Sequence, residues 1–309
     1  LHVHLEGSIR PETVLKLRRP EDDGIPDTLD GLRDWTVFRD FPHFVEVYVA
    51  ISSLLRTPDD LELILREFLD DQAAQNVLHT EVTFTASTIE KTRGIPWERQ
   101  KEALARGLGY GREELGISAG LVIDIVRGDS PERADEVVEW AIDGHRDGLV
   151  LALGLSGEER LGGPEEYASA IGRAREAGLP FVPHAGETVG PESIRACLPF
   201  SPARIGHGVR AIEDLRLVAE LRDRAIPLEV NPTSNVRLGV FPSLEEHPLP
   251  RLLDEGVRLS INSDDGPLFG TTISEEYARC AEAFGLSSDV LYTLVQGAAS
   301  DSLLPPSEK

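Results

Sequence analysis

What the chain lacks narrows the field first. No apolar run approaches the ~20 residues that a membrane-spanning helix needs, so no span is expected. Positive charge is scarce: 31 Lys and Arg stand against 54 Asp and Glu, a formal charge of −23. A surface of that sign repels polyanions, so neither nucleic acid nor an anionic membrane is expected as a partner. Two cysteines, Cys197 and Cys280, are too few for a disulfide framework and fit a reducing cytoplasm. No basic-then-apolar leader is present, so nothing points to secretion. Methionine is absent even from position 1, and the first strand opens with the first residue, so a preceding N-terminal piece is expected. No G-x-G-x-x-G follows that strand, which makes an open dinucleotide-binding sheet only the runner-up architecture.

What is there alternates. Short runs rich in Val, Ile and Leu occupy 1–5, 78–84, 117–126, 149–155, 179–184, 203–207, 226–230 and 257–262. Nearly continuous apolar runs suit parallel strands buried on both faces. Between them lie amphipathic helical stretches at 59–76, 97–115, 131–147, 164–177, 211–224 and 274–285. Cap signals mark helix starts, as in Thr57-Pro58-Asp59, Ser130-Pro131-Glu132 and Ser287-Ser288-Asp289. Eight strands alternating with helices predict an α/β fold, a (β/α)8 TIM barrel formed by residues 1–309 as one unit. The stretch between strands 1 and 2 is too long for one crossover. Its extra helices, with Phe38, Phe41, Phe44 and Tyr48, are placed to roof the barrel mouth or simply to pack onto it.

Functional groups of such barrels sit at the C-terminal ends of the strands. Strand 1 carries His2 and His4; residues two apart on a strand share a face. Alone, that pair is as readily two hydrogen-bonded core histidines as two metal ligands. Other strand ends add to it: His184 and Glu187 after strand 5, His207 after strand 6, Asp264 and Asp265 after strand 8. Three His and one Asp make a normal zinc shell. The remaining histidines (His43, His79, His145, His247) fall in helices, loops or strand starts and are expected to be structural. Adjacent residues of an extended chain point to opposite sides, so one of Asp264 and Asp265 faces the metal and the other is free for a ligand. Glu187, three residues past His184, can approach a metal-bound water or a substrate as a general acid does.

HVHLEGS, PHAGE, RIGHG, NPTSN and SINSDD, in this order on successive strands, resemble the adenosine deaminase family of the amidohydrolase superfamily over essentially the whole chain. The resemblance implies one Zn2+ per chain, held by His2, His4, His184 and Asp264. It implies that Glu187 protonates N1 of the purine, that His207 orients or deprotonates the zinc water and that Asp265 pairs with N7. Gly157, in Leu155-Ser156-Gly157-Glu158-Glu159, resembles a family turn whose glycine amide contacts N3. Glu6 stands where many members have an Asp that contacts the ribose. Binuclear relatives use a carboxylated Lys at a strand end. The four lysines here (Lys16, Lys91, Lys101, Lys309) end no strand, so one metal is expected. The HxE…PCxxC pattern of the cytidine-type deaminases is also missing.

The resulting expectation is zinc-dependent hydrolysis of a purine nucleoside, adenosine or deoxyadenosine, to inosine and ammonia. Free-base deaminases of the family tend to carry SDDPAYF after the acid pair. Here the run is SDDGPLFG, which favours the nucleoside. The alternatives are 6-amino-6-deoxyfutalosine deaminase, adenine deaminase and, in another class, a non-catalytic zinc-binding protein. Retention of both Glu187 and His207 argues against the last, since structural zinc needs neither.

Overall fold

The computed structural model describes residues 1–309. Its eight strands are β1 (Val3–His4), β2 (His79–Phe84), β3 (Ser118–Val126), β4 (Val150–Ser156), β5 (Phe181–Ala185), β6 (Ile205–His207), β7 (Leu228–Val230) and β8 (Leu259–Ile261). They lie in one sheet in chain order, every neighbouring pair parallel. The sheet curls until its edges nearly meet. Where a full barrel would carry a β8–β1 ladder there is a single parallel bridge, Val3 to Asp264. Asp264 N–H donates to the His2 carbonyl at 3.1 Å there, and His4 N–H to the Asp264 carbonyl at 3.4 Å. The cause is local: after His4 the chain turns into a 3-10 segment, Glu6–Ser8, which leaves β1 too short for a longer ladder. All eight expected strands form, and β1, β6, β7 and β8 are each shorter than the apolar run that announced them.

The helices begin where the cap signals stand. Thr57 accepts from Asp60 N–H and Asp60 accepts in return from Thr57 N–H, a capping box; Ser130 and Ser287 cap in the same sense. The helix Pro58–Ala74 buries Leu61, Ile64, Leu65, Phe68 and Leu69, the i, i+3, i+4, i+7, i+8 stripe that faces a core. It packs on the helix Trp97–Tyr110, where a side chain at Gly107 would strike Leu65 Cδ2 at 2.7 Å. Expected helices at 164–177 and 211–224 each resolve into a 3-10 turn followed by an α-helix, Ala168–Glu176 and Leu215–Asp223. No helix is long and apolar enough to cross a membrane.

Inside the curled sheet a small apolar layer, Val122, Ala152 and Val182, lies near a charged one. Arg204, 1% exposed, stands 2.5 Å from carboxylates of both Glu81 and Glu229. A buried cation costs several kcal/mol unless paired and hydrogen-bonded, and this one has two anions and the Asp301 carbonyl, at 2.8 Å. Between β1 and β2 sit the extra helices, Pro11–Leu17, Leu29–Trp35, Phe41–Ser52 and Pro58–Ala74. The third of these forms the roof over the C-terminal ends of the strands.

Candidate metal centre and adjoining cavity

Four buried side chains from three strand ends converge under that roof. His2 Nε2 and His4 Nε2 each lie 3.5 Å from Asp264 Oδ1, and His4 Nε2 is 3.1 Å from His184 Nε2. Two overlapping sets, His2–His4–Asp264 and His2–His184–His207, keep their ligand atoms within 4.8 Å of one another. The outer nitrogens choose between them. His2 Nδ1 is 2.8 Å from Glu229 Oε2 and His184 Nδ1 is 3.2 Å from the Leu155 carbonyl. Both partners only accept, so both rings carry hydrogen on Nδ1 and turn an Nε2 lone pair inward, as metal-binding histidines do. His207 is the reverse. Its Nδ1 faces the side-chain amides of Asn231 and Asn235, both at 3.2 Å. Amide nitrogens only donate, so the hydrogen is on His207 Nε2 and this ring turns no lone pair toward the cluster.

The electrostatics also call for a cation. Burial holds His4 down to about 4 and His184 well below its ordinary value, so both stay neutral. Burial also opposes protonation of His2, yet Asp264 and Glu229 on either side raise it to about 9; without an ion, a proton takes the cation's place. Burial pushes the Asp264 carboxyl up, but His2 and the surrounding imidazoles more than offset this and keep it ionised. His2 Nε2 has no hydrogen-bond partner although fully enclosed. Two neutral imidazoles, one carboxylate and a third imidazole whose inward nitrogen has no hydrogen-bond partner form a donor set that suits a zinc-type ion.

Beside this cluster lies a cavity of about 140 Å³. Phe41, Phe44, Tyr48 and Val49 of the roof helix line it from above, with Gly157, Glu187, His207, Asp264 and Asp265 below. Glu187 Oε2 is 3.8 Å from His207 Nε2, which is 3.7 Å from Asp264 Oδ2. Burial, then the charges of Asp264 and Glu159, raise Glu187 well above the carboxylate range. Asp265 is raised in the same way by burial and by Asp264, Glu6 and Glu187. Asp265 fills the space above Gly7, where any Cβ would collide with its carboxyl. Asp264 and His207 hold left-handed backbone, φ +56° and +59°, a strained conformation for non-glycine residues that is found at functional sites. Asp264 Oδ1 approaches His2 and His4 while Asp265 packs over Gly7, and both carboxyls line the cavity.

The chain matches the adenosine deaminase family model across residues 1–309. The chain belongs to the adenosine deaminase family. It is a hydrolase acting on a cyclic amidine C–N bond. Its curated relatives include an adenine deaminase of Sinorhizobium medicae, 40% identical over 93% of this chain and 88% of that protein. An aminodeoxyfutalosine deaminase of Streptomyces coelicolor is 37% identical over 98% of this chain and 79% of its own. Among solved structures, adenine deaminase from Arthrobacter aurescens superimposes with a TM-score of 0.92 at 30% identity, covering 99% of this chain and 93% of that one. A zinc-bound amidohydrolase from Burkholderia ambifaria gives 0.90 at 26% identity, covering 99% and 85%.

These relatives overturn the expected substrate. They are adenine deaminases, with one aminodeoxyfutalosine deaminase among them, so adenosine and deoxyadenosine give way. The physical reason lies in residues 266–269, whose departure from SDDPAYF favoured a nucleoside. None of them lines the cavity. They form a short helix, Gly266–Phe269, whose Phe269 stacks on Phe44 behind the roof, ring centroids 5.4 Å apart.

Of the other expected site residues, Gly157 lines the cavity with φ +87°. Glu6 does not line it. It lies 1% exposed, with Oε1 accepting from Thr85 N–H at 2.9 Å. His247, expected to be structural, stands two hydrogen bonds from His207: its Nε2 meets Asn235 Oδ1 at 3.1 Å, which aims the amide nitrogen at His207. The sequence reading also missed Glu229, Arg204 and Glu159. Glu81, Arg204 and Glu229 are charges inside apolar strand runs, and a charge in such a run signals a buried partner. Asn231 and Asn235, four apart in NPTSN, share one helix face.

Proposed function

We propose that this chain removes the 6-amino group of adenine by hydrolysis, giving hypoxanthine and ammonia, with residues 1–309 acting as one barrel around a single zinc ion. His2, His4, His184 and Asp264 would hold the metal. Bound there, zinc supplies Lewis acidity and lowers the pKa of water from 15.7 to about 7. The rest is done by the chain's own groups. The observation that carries the reading is the Glu187 carboxyl: buried, kept protonated by its surroundings and 3.8 Å from His207 Nε2.

Glu187 gives its proton to N1 of the ring, which draws electrons away from C6. His207 and Asp264 flank the place the attacking water must take and hold it by Nε2 and Oδ2; the Asp264 carboxylate accepts its proton. The amino group takes the proton held by Asp264 and leaves as ammonia as the C6–N bond breaks; N1 keeps the proton from Glu187, and the C6 hydroxyl returns its remaining proton to Glu187 as the carbonyl forms. Asp265, itself protonated, donates to N7, and the Gly157 amide reaches N3. The roof aromatics cover the ring faces and exclude bulk water. The adenine deaminases among the relatives, one of them 40% identical to this chain, support the free base as substrate. The two buried free thiols suit a cytoplasmic enzyme.

A second reading, aminodeoxyfutalosine as substrate, rests on the Streptomyces relative, which matches 308 residues. Ammonia release from adenine, adenosine and aminodeoxyfutalosine, compared as kcat/KM, decides. The proposal expects adenine to lead by at least tenfold; a lead for either nucleoside refutes it.

A further inference from the structure

Glu159 opens a 3-10 turn, Glu159–Leu161, in the loop that follows β4. It is 7% exposed, and its carboxylate meets no cation. It faces backbone instead. Oε2 accepts from Gly186 N–H at 2.9 Å, and Oε1 accepts from Glu187 and Thr188 N–H, both at 2.8 Å, with Val189 N–H at 3.5 Å. Consecutive amides turned to one side form an anion-binding nest, made possible here by Gly186 at φ +70°. The anion that fills this nest is the protein's own, borrowed from the neighbouring loop. Arg127, at the end of β3, ties the same two loops together: Nη1 donates to the Gly162 carbonyl and Nη2 to the His184 carbonyl, both at 2.5 Å.

The Glu187 side chain, by contrast, has no anchor of its own. Its one polar approach, His207 Nε2 at 3.8 Å, is too long for a hydrogen bond. Where its carboxyl stands over the ring is therefore decided by where its backbone is held, and one of the amides held by Glu159 is that of Glu187 itself.

We infer that Glu159 is a positioning residue for proton transfer: its carboxylate fixes the loop after β5 so that the Glu187 carboxyl meets N1 of the ring. The inference rests on Glu187 being the proton donor. It accounts for a fully enclosed acid that touches neither the metal cluster nor the cavity. It also requires a carboxylate and nothing else, because both oxygens must accept. A glutamine would turn an NH2 group against a backbone N–H.

The test compares holoenzymes of the wild type, Glu159→Ala, Glu159→Asp and Glu187→Gln, using the substrate that leads the panel above. Glu159→Ala should keep its zinc and lose about a hundredfold in kcat, the loss that an ångström of misplacement brings. KM should change little, since Gly157, Asp265 and the roof are untouched. Formate, which fits the vacated nest, should restore part of kcat, and chloride should not. Glu159→Asp, with two oxygens on a shorter arm, should fall between. A kcat within threefold of wild type in Glu159→Ala, a loss carried by KM alone, or no return of kcat in formate overturns the inference. Should Glu159→Ala fail to fold, an unimpaired kcat in zinc-loaded Glu159→Asp overturns it equally. Activity surviving in Glu187→Gln would instead refute the role of Glu187, so the two failures are told apart.

Discussion

Replacing Glu187 by Gln probes the proposed chemistry at its centre. The change keeps the shape of the side chain and removes only the transferable proton. The carboxyl makes no hydrogen bond in the structure, being 3.8 Å from His207 Nε2, so no existing bond is broken. The amide replaces a buried carboxyl (Glu187 is 5% exposed) that is already unpaired, so the added cost is at most the roughly 1–3 kcal/mol of an unsatisfied buried polar group. A domain with roughly 5–15 kcal/mol of stability survives that. Chemistry should suffer far more. General acid catalysis contributes roughly 10²–10⁴-fold, or about 2.7–5.4 kcal/mol of barrier at 1.36 kcal/mol per tenfold. Zinc content should stay at the wild-type level, because Glu187 contributes no ligand. The assay is ammonia release with metal analysis on the same sample. Zinc-loaded Glu187→Gln within threefold of wild type refutes the role of Glu187, and loss of zinc would reassign it to holding the metal.

Two further outcomes follow from buried carboxylates. Glu229→Gln keeps an acceptor for His2 Nδ1 but withdraws the charge that His2 and Arg204 share. Zinc affinity should fall by about 10–100-fold, as on loss of other partners of metal-bound histidines; competition with a chelator reads this, and an unchanged affinity contradicts it. Asp124, fully buried beneath the hydroxyls of Ser156 and Thr85, is raised by burial from 3.8 to about 6. Its protonated form thus stabilises the fold below pH about 4, and that contribution disappears as pH rises through 6. Asp124→Asn should therefore gain on the wild type between pH 4 and 7, by at most about 3 kcal/mol. Urea melts at both pH values measure it, and a constant difference refutes the sign.

The sequence carried the architecture because parallel strands and amphipathic helices each leave a period, and Thr57, Ser130 and Ser287 stand as caps where the helices start. It carried the convergence of His2, His4, His184 and Asp264 because strand ends are where a barrel keeps its chemistry. Substrate identity was less legible. The run 266–269 favoured a nucleoside only by its departure from SDDPAYF, yet the turn at Asp264 sends it behind the roof to pack Phe269 on Phe44. Long-range supports were out of reach for a different reason. Glu159 meets the Glu187 loop 28 residues away and Glu229 meets His2 across 227, and no period or local spacing connects such partners. Only the presence of charge inside apolar runs marked some of them.

The central claim is that residues separated by most of the chain's length share one ion. Anomalous diffraction at the zinc edge from crystals of the purified enzyme tests it most directly. The account predicts one peak per chain, within about 2.0–2.2 Å of His2 Nε2, His4 Nε2, His184 Nε2 and a carboxylate oxygen of Asp264. A peak ligated through His207 in place of Asp264, a second peak in the site, or none in crystals of active enzyme would contradict it.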